Sequence, residues 1–329
     1  MKQEDIRPAD VWDRYLAAVA EDIADMFQDK SSLEEVLCPA CAEAGHSPAF
    51  AKAGFTYVTC NACSSLYLNP RPTLAGLSRF YTVGKASQVW ANDFYPITAK
   101  KRKETIVLER VRFLQERAAG LGVSLDTVMD IGCGYGTFLH VLKREMPGVR
   151  TVGIEPGESL AEESRAKGIE VVEDVFENAG QEWNGTTDVV TCFEVLEHLH
   201  DPFPFLKKMA SVIRGNGMAW LTSLGCDGFD VQVLWGDHKN IYPPCHINIL
   251  SLRGMEILAK RAGFGKVEFV TPGKLDVDIV RNSKPDSARL GPFLDGIIRQ
   301  GREEDIAALQ EALVKMKRSS HVWVFGQKA

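Results

Sequence analysis

Long apolar runs are missing from this sequence. None of its 329 residues lies in a run close to the roughly 18 apolar residues that a membrane helix needs, so membrane insertion is not expected. The amino-terminal stretch MKQEDIRPADVWDRYLAAVAEDIADMF is acidic and lacks the basic-then-apolar layout of a secretory signal. We therefore expect a soluble, cytoplasmic protein.

A surplus of basic residues is also missing. The chain has 38 lysines and arginines against 44 aspartates and glutamates, a net charge of −6. Residues 1–37 hold ten acidic and four basic side chains, so the rest of the chain is neutral overall. Polynucleotide-binding proteins usually carry a basic surplus, because neutralising phosphates supplies most of their affinity. Nucleic acid is therefore not an expected partner.

The apolar pattern changes along the chain, with no internal repeat. Residues 9–29 place apolar side chains at helical spacing between acids, which predicts an amphipathic helix. From residue 126, short apolar runs alternate with helical patterns, which predicts an α/β fold with a mostly parallel sheet. The predicted division of the chain is an acidic helix at 1–37, a cysteine-rich segment at 38–82, linking helices at 83–120, and an α/β domain at 121–329 with a helical insert at 272–318.

Eight cysteines fall into two groups. Cys38, Cys41, Cys60 and Cys63 form the pattern C-x2-C-x18-C-x2-C, the spacing of a four-thiolate zinc ribbon. Four buried free thiols or a redox pair are alternatives, but two C-x-x-C turns at this interval favour zinc. A site with four protein ligands is closed, so we expect the zinc to be structural. The scattered remainder are expected to be small core or pocket-wall residues: Cys133, Cys192, Cys226 and Cys245.

The segment VMDIGCGYGTFL, residues 128–139, joins an apolar strand to a predicted helix through three glycines. Gly132, Gly134 and Gly136 let the backbone turn sharply and approach a ligand closely at the carboxyl end of the strand. A dinucleotide-binding loop, G-x-G-x-x-G, would need glycine at position 137, which is Thr137. The pattern here is D-x-G-x-G-x-G. It resembles the first motif of the class I S-adenosylmethionine-dependent methyltransferases.

The strands that follow carry acids at the places where this family uses them. The resemblance implies that Glu155, ending the second strand, binds the ribose hydroxyls, and that Asp174, after the third, meets the adenine amino group. Taken alone, each acid would be an ordinary partner of a helix amino terminus. The resemblance covers about residues 120–270 and the last strand, and implies a doubly wound, Rossmann-like sheet of seven strands. The residues implied in binding S-adenosylmethionine are Asp130, Gly132, Cys133, Gly134, Gly136, Glu155, Asp174, Val175, Phe193 and Glu194.

The stretch TCFEVLEHLHDP, residues 191–202, follows the fourth predicted strand, and the resemblance places it beside the methyl group to be transferred. A hydroxyl acceptor needs a base to remove its proton, and histidine is the natural candidate. We expect His198 or His246, next to Glu197, to act on the acceptor. An ordinary imidazole would then lose activity by protonation near pH 6 to 7.

Some relatives use the same motif for metal. Ubiquinone-pathway O-methyltransferases and small-RNA 2′-O-methyltransferases bind a divalent metal through E-x-x-E-H and a later histidine. The matching residues here, for magnesium, would be Glu194, Glu197, His198 and His246. Relatives that need no metal also carry the motif, and a structural helix start is a third interpretation, since aspartate before proline caps a helix well. We favour the metal-free base.

The acceptor is predicted from the whole arrangement. The ribbon, the core and the final strand together resemble bacterial methyltransferases of sugar and surface-polysaccharide biosynthesis, which implies O-methylation of a sugar or nucleotide-sugar hydroxyl. Sugar C-methyltransferases share the ribbon but have a further large carboxyl-terminal domain. RNA methyltransferases that bear a ribbon are the competing class, and the missing surplus of basic residues counts against them. The residues expected to line the acceptor pocket are Trp235, Asp237, His238, Tyr242 and His246.

Overall fold

The computed structural model describes residues 7–328, whose strands form three sheets. In chain order the strands are β1 (Leu33–Glu34), β2 (His46–Lys52), β3 (Phe55–Cys60), β4 (Leu66–Leu68), β5 (Arg71–Pro72), β6 (Thr127–Ile131), β7 (Arg150–Ile154), β8 (Glu170–Val172), β9 (Thr187–Phe193), β10 (Ile213–Leu224), β11 (Asn248–Ile249), β12 (Phe264–Val270) and β13 (His321–Lys328). The largest sheet has the order β12-β13-β10-β9-β6-β7-β8. Its strand pairs are parallel except those made by β13, which is antiparallel to β10 and β12.

Helices pack on both faces of this sheet. The helices of the described residues are α1 (Ala9–Met26), α2 (Leu74–Val83), α3 (Lys85–Val89), α4 (Tyr95–Arg102), α5 (Leu108–Leu121), α6 (Thr137–Glu145), α7 (Glu158–Ala166), α8 (Pro202–Val212), α9 (Phe229–Leu234), α10 (Leu252–Arg261), α11 (Asp276–Ser283), α12 (Ser287–Gln300) and α13 (Glu303–Lys315). Wider π-helical turns at Trp90–Phe94 and Lys103–Val107 interrupt the linking helices. Among the described residues, no helix combines the length and apolarity needed to cross a membrane.

The strands are apolar on both faces, which explains why the sheet is sandwiched between helices. In β10, Ala219 and Leu221 join the apolar cluster under α8 and α10, while Met218 and Trp220 join the cluster under α5 and α6. Alternate residues of a strand point to opposite faces, so an unbroken apolar run buries both. The predicted doubly wound, mostly parallel seven-stranded sheet is confirmed.

The chain winds to opposite sides of β6, whose neighbours are β7 and β9. At such a switch point the loops after adjacent strands separate, and a crevice opens at the carboxyl ends of the strands.

Asp201 accepts the backbone N–H of Phe203 at 3.0 Å and caps α8, as the aspartate–proline pair indicated. The crevice and this turn bring the predicted motifs to one edge of the sheet.

The cysteine-rich segment forms a second sheet, in the order β11-β4-β3-β2. Its strands β2, β3 and β4 come from residues 46–68, but β11 comes from the loop after β10. The ribbon and the central core share one apolar cluster, in which Cys60 and Tyr67 lie with Leu196 and Met255. Helix α1 lies within the predicted acidic helix, whose first six residues are outside the described part of the chain.

The insert before the last strand is helical, as predicted. Helices α11, α12 and α13 connect β12 to β13, and they bury their own apolar cluster. Leu234 of α9 belongs to that cluster together with Val277 and Val280 of α11. The insert therefore rests on the loop that follows β10.

Candidate cofactor and acceptor site

The glycine loop lies at the carboxyl edge of the sheet, between β6 and α6. Gly132, Gly134 and Gly136 have φ angles of 70°, 53° and 63°, in the left-handed region that favours glycine. A Cβ atom added at Gly134 would meet nothing within 4 Å, whereas one at Gly136 would lie 2.5 Å from Cδ1 of Ile169. Gly134 therefore borders open space of the kind a ligand fills, while packing requires glycine at 136.

Glu155 faces this loop from the end of β7. Its Oε2 accepts the backbone N–H of Gly134 at 2.9 Å, and its Oε1 accepts that of Gly157 at 2.9 Å. Burial raises the pKa of Glu155, and the two N–H groups oppose that shift. The carboxylate thus lies against the glycine loop, where the resemblance implies a ribose-binding acid.

Asp174 follows β8 at the same edge and is exposed. Its Oδ1 accepts the backbone N–H of Val175 at 2.7 Å and Nδ2 of Asn178 at 2.8 Å. The apolar side chain of Val175 is 42% exposed. An acid beside an exposed apolar side chain offers a hydrogen-bond acceptor for the amino group of an adenine and an apolar contact for its ring.

Arg110 of α5 lies at the other end of the crevice, and no sequence pattern indicated it. Its Nη2 lies 3.1 Å from Oε1 of Glu194 and 3.3 Å from Oγ1 of Thr222, and its guanidinium carbon lies 4.2 Å from the centre of the Phe193 ring. Its Nε is buried without a hydrogen-bond partner among the described residues. A buried guanidinium with a spare donor fits a carboxylate, such as that of the cofactor's methionine end.

Asp130 is the penultimate residue of β6 and lies near this arginine. Its Oδ1 accepts the hydroxyl of Thr191 at 2.6 Å. Burial raises the pKa of Asp130 to about 7, and the Thr191 hydroxyl and the charge of Arg110 oppose that rise. An ammonium group bound nearby would stabilise the ionised form further.

Glu194 is held by hydrogen bonds from three side chains. Its Oε1 accepts the Thr222 hydroxyl at 2.5 Å and lies 3.1 Å from Nη2 of Arg110 and from Nε2 of His321. Burial alone would raise the pKa of Glu194, but His321 and Arg110 lower it below its ordinary value. Glu194 is therefore an ionised partner of Arg110 and is not part of the group formed by Glu197, His198 and His246.

Glu197, His198 and His246 lie together, with one donor atom of each within 4.8 Å of the others. Nδ1 of His198 lies 2.9 Å from the backbone oxygen of Cys245, and Nδ1 of His246 lies 2.5 Å from that of Asn240. A carbonyl oxygen only accepts, so these contacts assign the proton to Nδ1 in both rings. Both Nε2 atoms therefore keep a free lone pair.

Burial controls the charge of this cluster. Burial lowers the pKa of His198 to about 4, although the hydrogen bond to the Cys245 carbonyl opposes this shift. Burial also lowers the pKa of His246 well below its ordinary value. Burial, followed by the charge of Glu194, raises the pKa of Glu197 to about 8. At neutral pH the imidazoles are uncharged and Glu197 is protonated. If His198 is the base, its protonation is therefore expected to lower activity near pH 4 and not near pH 6 to 7, where an ordinary imidazole would be protonated.

Tyr81 of α2 joins the cluster, although nothing in the sequence indicated it. Its hydroxyl oxygen lies 2.9 Å from Nδ1 of His198 and 3.4 Å from the backbone oxygen of Cys245. On the opposite side, the ring centre of Tyr242 lies 4.5 Å from that of His246. The histidines are thus flanked by two phenol rings.

The loop after β10 lines this pocket only in part. Tyr242 and His246 face the cluster, but His238 is fully buried with its Nε2 at 2.9 Å from a buried aspartate, so the prediction that it lines the pocket is wrong. Asp237 pairs with an arginine of the insert at 2.6 Å. The ring of Trp235 packs on a ribbon phenylalanine, 5.5 Å between centres. These three residues connect the loop to its neighbours.

The four ribbon cysteines lie together, with their sulfur atoms within 4.8 Å of one another: Cys38, Cys41, Cys60 and Cys63. The sulfur of Cys38 lies 3.6 Å from that of Cys63, and the sulfur of Cys41 lies 3.5 Å from that of Cys60. Zinc–sulfur bonds of about 2.3 Å in a tetrahedron hold sulfur atoms about 3.8 Å apart, whereas a disulfide needs about 2.05 Å. The arrangement fits a four-thiolate metal site.

The sheet order, the glycine loop at its switch point and the acids after the next two strands define a class I methyltransferase fold. The plantazolicin methyltransferase BpumL in complex with SAH has a similar structure, with a TM-score of 0.50 and 15% identity over 77% of this chain and 94% of that one. Its complex with a monoazolic desmethylPZN analog and SAH gives 0.51 and 14%, over 77% and 93%. At these identities the likeness shows the fold.

The family is shown by sequence. The model of a family described as "Methyltransferase domain" matches residues 99–268, more than half of the chain. The chain belongs to this methyltransferase family.

Relatives of known description match over a shorter stretch. The ubiquinone biosynthesis O-methyltransferase of Proteus mirabilis (strain HI4320) is 31% identical over 121 residues, which are 35% of this chain and 48% of that protein. Its counterpart in Vibrio parahaemolyticus serotype O3:K6 is 30% identical over 121 residues, 35% and 50% of the two chains. The chain spans about half the length of the curated relatives it matches.

Proposed function

We propose that this protein methylates a hydroxyl group of a small, sugar-like acceptor, with S-adenosylmethionine as the donor and His198 as the base. The observation that carries the proposal is the neutral His198, whose Nδ1 is engaged by the Cys245 carbonyl and whose Nε2 is free. It lies four residues after Glu194, which borders the cofactor crevice. The curated relatives, named as O-methyltransferases, support a hydroxyl acceptor.

The residues present fit the cofactor. Glu155 would bind the ribose, Asp174 and Val175 the adenine, and Arg110 the methionine carboxylate, while Gly134 leaves room for the chain between them. The predicted neighbours Asp130, Gly132, Cys133 and Gly136 shape the same loop. When bound, S-adenosylmethionine supplies an electrophilic methyl group on its sulfonium.

The acceptor side removes a proton. Nε2 of His198 accepts the hydroxyl proton as the oxygen attacks, while the Nδ1–H bond to the Cys245 carbonyl keeps the ring oriented. The charge of Glu194 favours the imidazolium that forms. Burial opposes that charge, so the proton passes on once the product has left.

The sugar-like acceptor is supported by the lining of the pocket. The aromatic rings of Tyr81 and Tyr242 lie beside His198 and His246, while the hydroxyl of Tyr242 lies 3.2 Å from that of Tyr15. Aromatic faces next to a few polar groups suit ligands with both apolar and hydroxyl surfaces. RNA methylation is the alternative. The net charge of −6 counts against it, because RNA-binding proteins usually carry a surplus of basic residues.

Labelled S-adenosylmethionine offered with nucleotide sugars, free glycans, phenols and RNA tests the acceptor class. Label is expected in the sugar fraction, in a form that resists the treatments that cleave esters, because an ether bond is made. Transfer to RNA alone, or to a sugar carbon, would contradict the proposal.

The histidine cluster does not fit magnesium. Two of its three donors are imidazole nitrogens, and only Glu197 offers a carboxylate, whereas magnesium prefers oxygen ligands. Glu194, the second expected carboxylate, is bound to Arg110. Methyl transfer is therefore expected to be equal with and without added magnesium. Loss in magnesium-free protein that still holds zinc, restored by magnesium alone, would establish the metal mechanism instead.

For the ribbon we propose structural zinc, and about one equivalent is expected to copurify. Chelation should unfold the ribbon and spare the central sheet, because a short segment held by thiolates has no sufficient core of its own. Cys60→Ser should lose the metal, while Cys226→Ala, a buried cysteine outside the cluster, should keep it. Elemental analysis checks this, and zinc-free protein from a chelator-free preparation would refute it.

A further inference from the structure

The loop between β10 and α10, the acceptor loop, contributes β11 to the four-stranded sheet of the ribbon. β11 begins two residues after His246 and pairs antiparallel with β4, with Asn248 opposite Tyr67. The backbone N–H of Leu68 also donates to the oxygen of Ile247 at 3.0 Å. The backbone that carries His246 is therefore hydrogen-bonded into the ribbon on its carboxyl side.

A second contact reaches His246 itself. The hydroxyl of Tyr57, in β3, donates to the backbone oxygen of His246 at 2.7 Å. Tyr57 is fully buried, and its ring centre lies 4.8 Å from that of Phe50. A buried ring packed in this way has little freedom, so its hydroxyl holds the histidine peptide in one place.

A third contact reaches the turn that carries His198. Buried Arg71, in β5, donates from Nη2 to Oδ1 of Asn248 at 3.0 Å. Nδ2 of Asn248 donates in turn to the backbone oxygens of Leu196 at 3.2 Å and Leu199 at 2.7 Å. These residues flank His198, so the arginine and the amide together hold both sides of the turn.

The cysteine cluster closes β3 and β4, the strands from which the contacts of Tyr57 and Leu68 come. β3 ends at Cys60, and β4 begins three residues after Cys63. The backbone oxygen of Cys63 accepts the hydroxyl of Ser251, which caps α10 just beyond β11, at 2.5 Å. Losing the cluster would therefore loosen β3 and β4 at the ends next to Ile249 and Ser251, from which the pairing of β4 continues to Ile247.

We propose that the ribbon is a positioning element of the acceptor site, in which Tyr57 and Arg71 hold the peptide groups that orient His246 and His198. This inference rests on the proposed function, since it assigns the ribbon to the acceptor side of that reaction. Neither residue contacts the cofactor crevice. Metal binding at the cysteines is thus coupled to methyl transfer and leaves cofactor binding independent.

Two buried tyrosines in adjacent ribbon strands provide a matched test. Tyr57→Phe removes the hydrogen bond to His246, whereas Tyr67→Phe removes a buried hydroxyl that has no hydrogen-bond partner among the described residues. Turnover is expected to fall roughly 10- to 100-fold in Tyr57→Phe, because small displacements of the reacting groups lower the rate by about this factor. Tyr67→Phe should keep wild-type turnover. Both should keep wild-type zinc content and cofactor affinity.

Histidine-selective NMR supplies a readout that needs no acceptor. The imidazole resonances of His198 and His246 should shift in Tyr57→Phe and on zinc removal, and stay in place in Tyr67→Phe. Unshifted resonances in Tyr57→Phe, or equal changes in both variants, would overturn the inference. Full activity of His198→Ala would refute the proposed base, while shifted resonances in Tyr57→Phe alone would still support the ribbon's positioning role.

Discussion

Turnover of His198→Ala is expected to fall roughly 10²–10⁴-fold, the usual contribution of a general base, with cofactor affinity close to that of the wild type. The free Nε2 of His198 is lost, while the cofactor-side residues Glu155 and Arg110 are untouched. Steady-state kinetics and calorimetry measure the two effects separately. His46→Ala, which removes an exposed imidazole of the ribbon, is the control and should behave like the wild type.

The pH profile checks the same assignment. The base must be neutral to accept a proton, and burial lowers the pKa of His198 to about 4. The active form is therefore present above that pH, and His198 should cause no loss of kcat/KM between about pH 8 and pH 6. A fall centred near pH 6.5 in the wild type that disappears in His198→Ala would show an ordinary imidazole pKa. Intact activity of His198→Ala would discard both the base and the metal mechanisms.

Gly134→Val and Glu155→Ala are each expected to weaken S-adenosylmethionine binding by roughly 10²-fold or more. The valine side chain would occupy the open space beside the glycine loop at a φ of 53°. The glutamate change removes a charged acceptor, and hydrogen bonds to charged groups contribute about 1.5–3 kcal/mol each. Calorimetry of the purified variants measures both affinities.

Gly185→Val is the matched control for the glycine. Gly185 has a φ of 64° and open space around its Cβ position, as Gly134 does, but it precedes β9 at the opposite edge of the sheet. It should suffer the same backbone strain and bind the cofactor normally. Wild-type affinity in both Gly134→Val and Glu155→Ala would refute the cofactor site, and equal losses in Gly185→Val would attribute the effect to strain.

Much of the cofactor side was predictable because its signals are local. Three glycines after an apolar strand, and an acid at the end of each of the next strands, are read from a few adjacent residues. The parallel sheet then brings the carboxyl ends of β6, β7 and β8 to one edge, where Gly134 and Glu155 meet.

The acceptor side was predictable only in part. His198 and His246 were expected at the site, and they lie together with ring centres 4.9 Å apart. His238 was expected there as well, but a buried hydrogen bond to Asp230 holds it elsewhere. Sequence letters do not distinguish a histidine facing a pocket from one facing a buried aspartate, because that difference depends on packing.

The sequence by itself determined the sheet, the glycine loop and the cysteine cluster, since each follows from periodicity or from spacing between nearby residues. Tertiary structure alone decided that Arg110 pairs with Glu194, that Tyr81 meets His198, and that Tyr57 holds the peptide of His246. These partners are 84, 117 and 189 residues apart, too far for any local pattern to connect them. It also decided the charges of the histidines and Glu197, because their pKa values depend on burial, which only the folded chain creates.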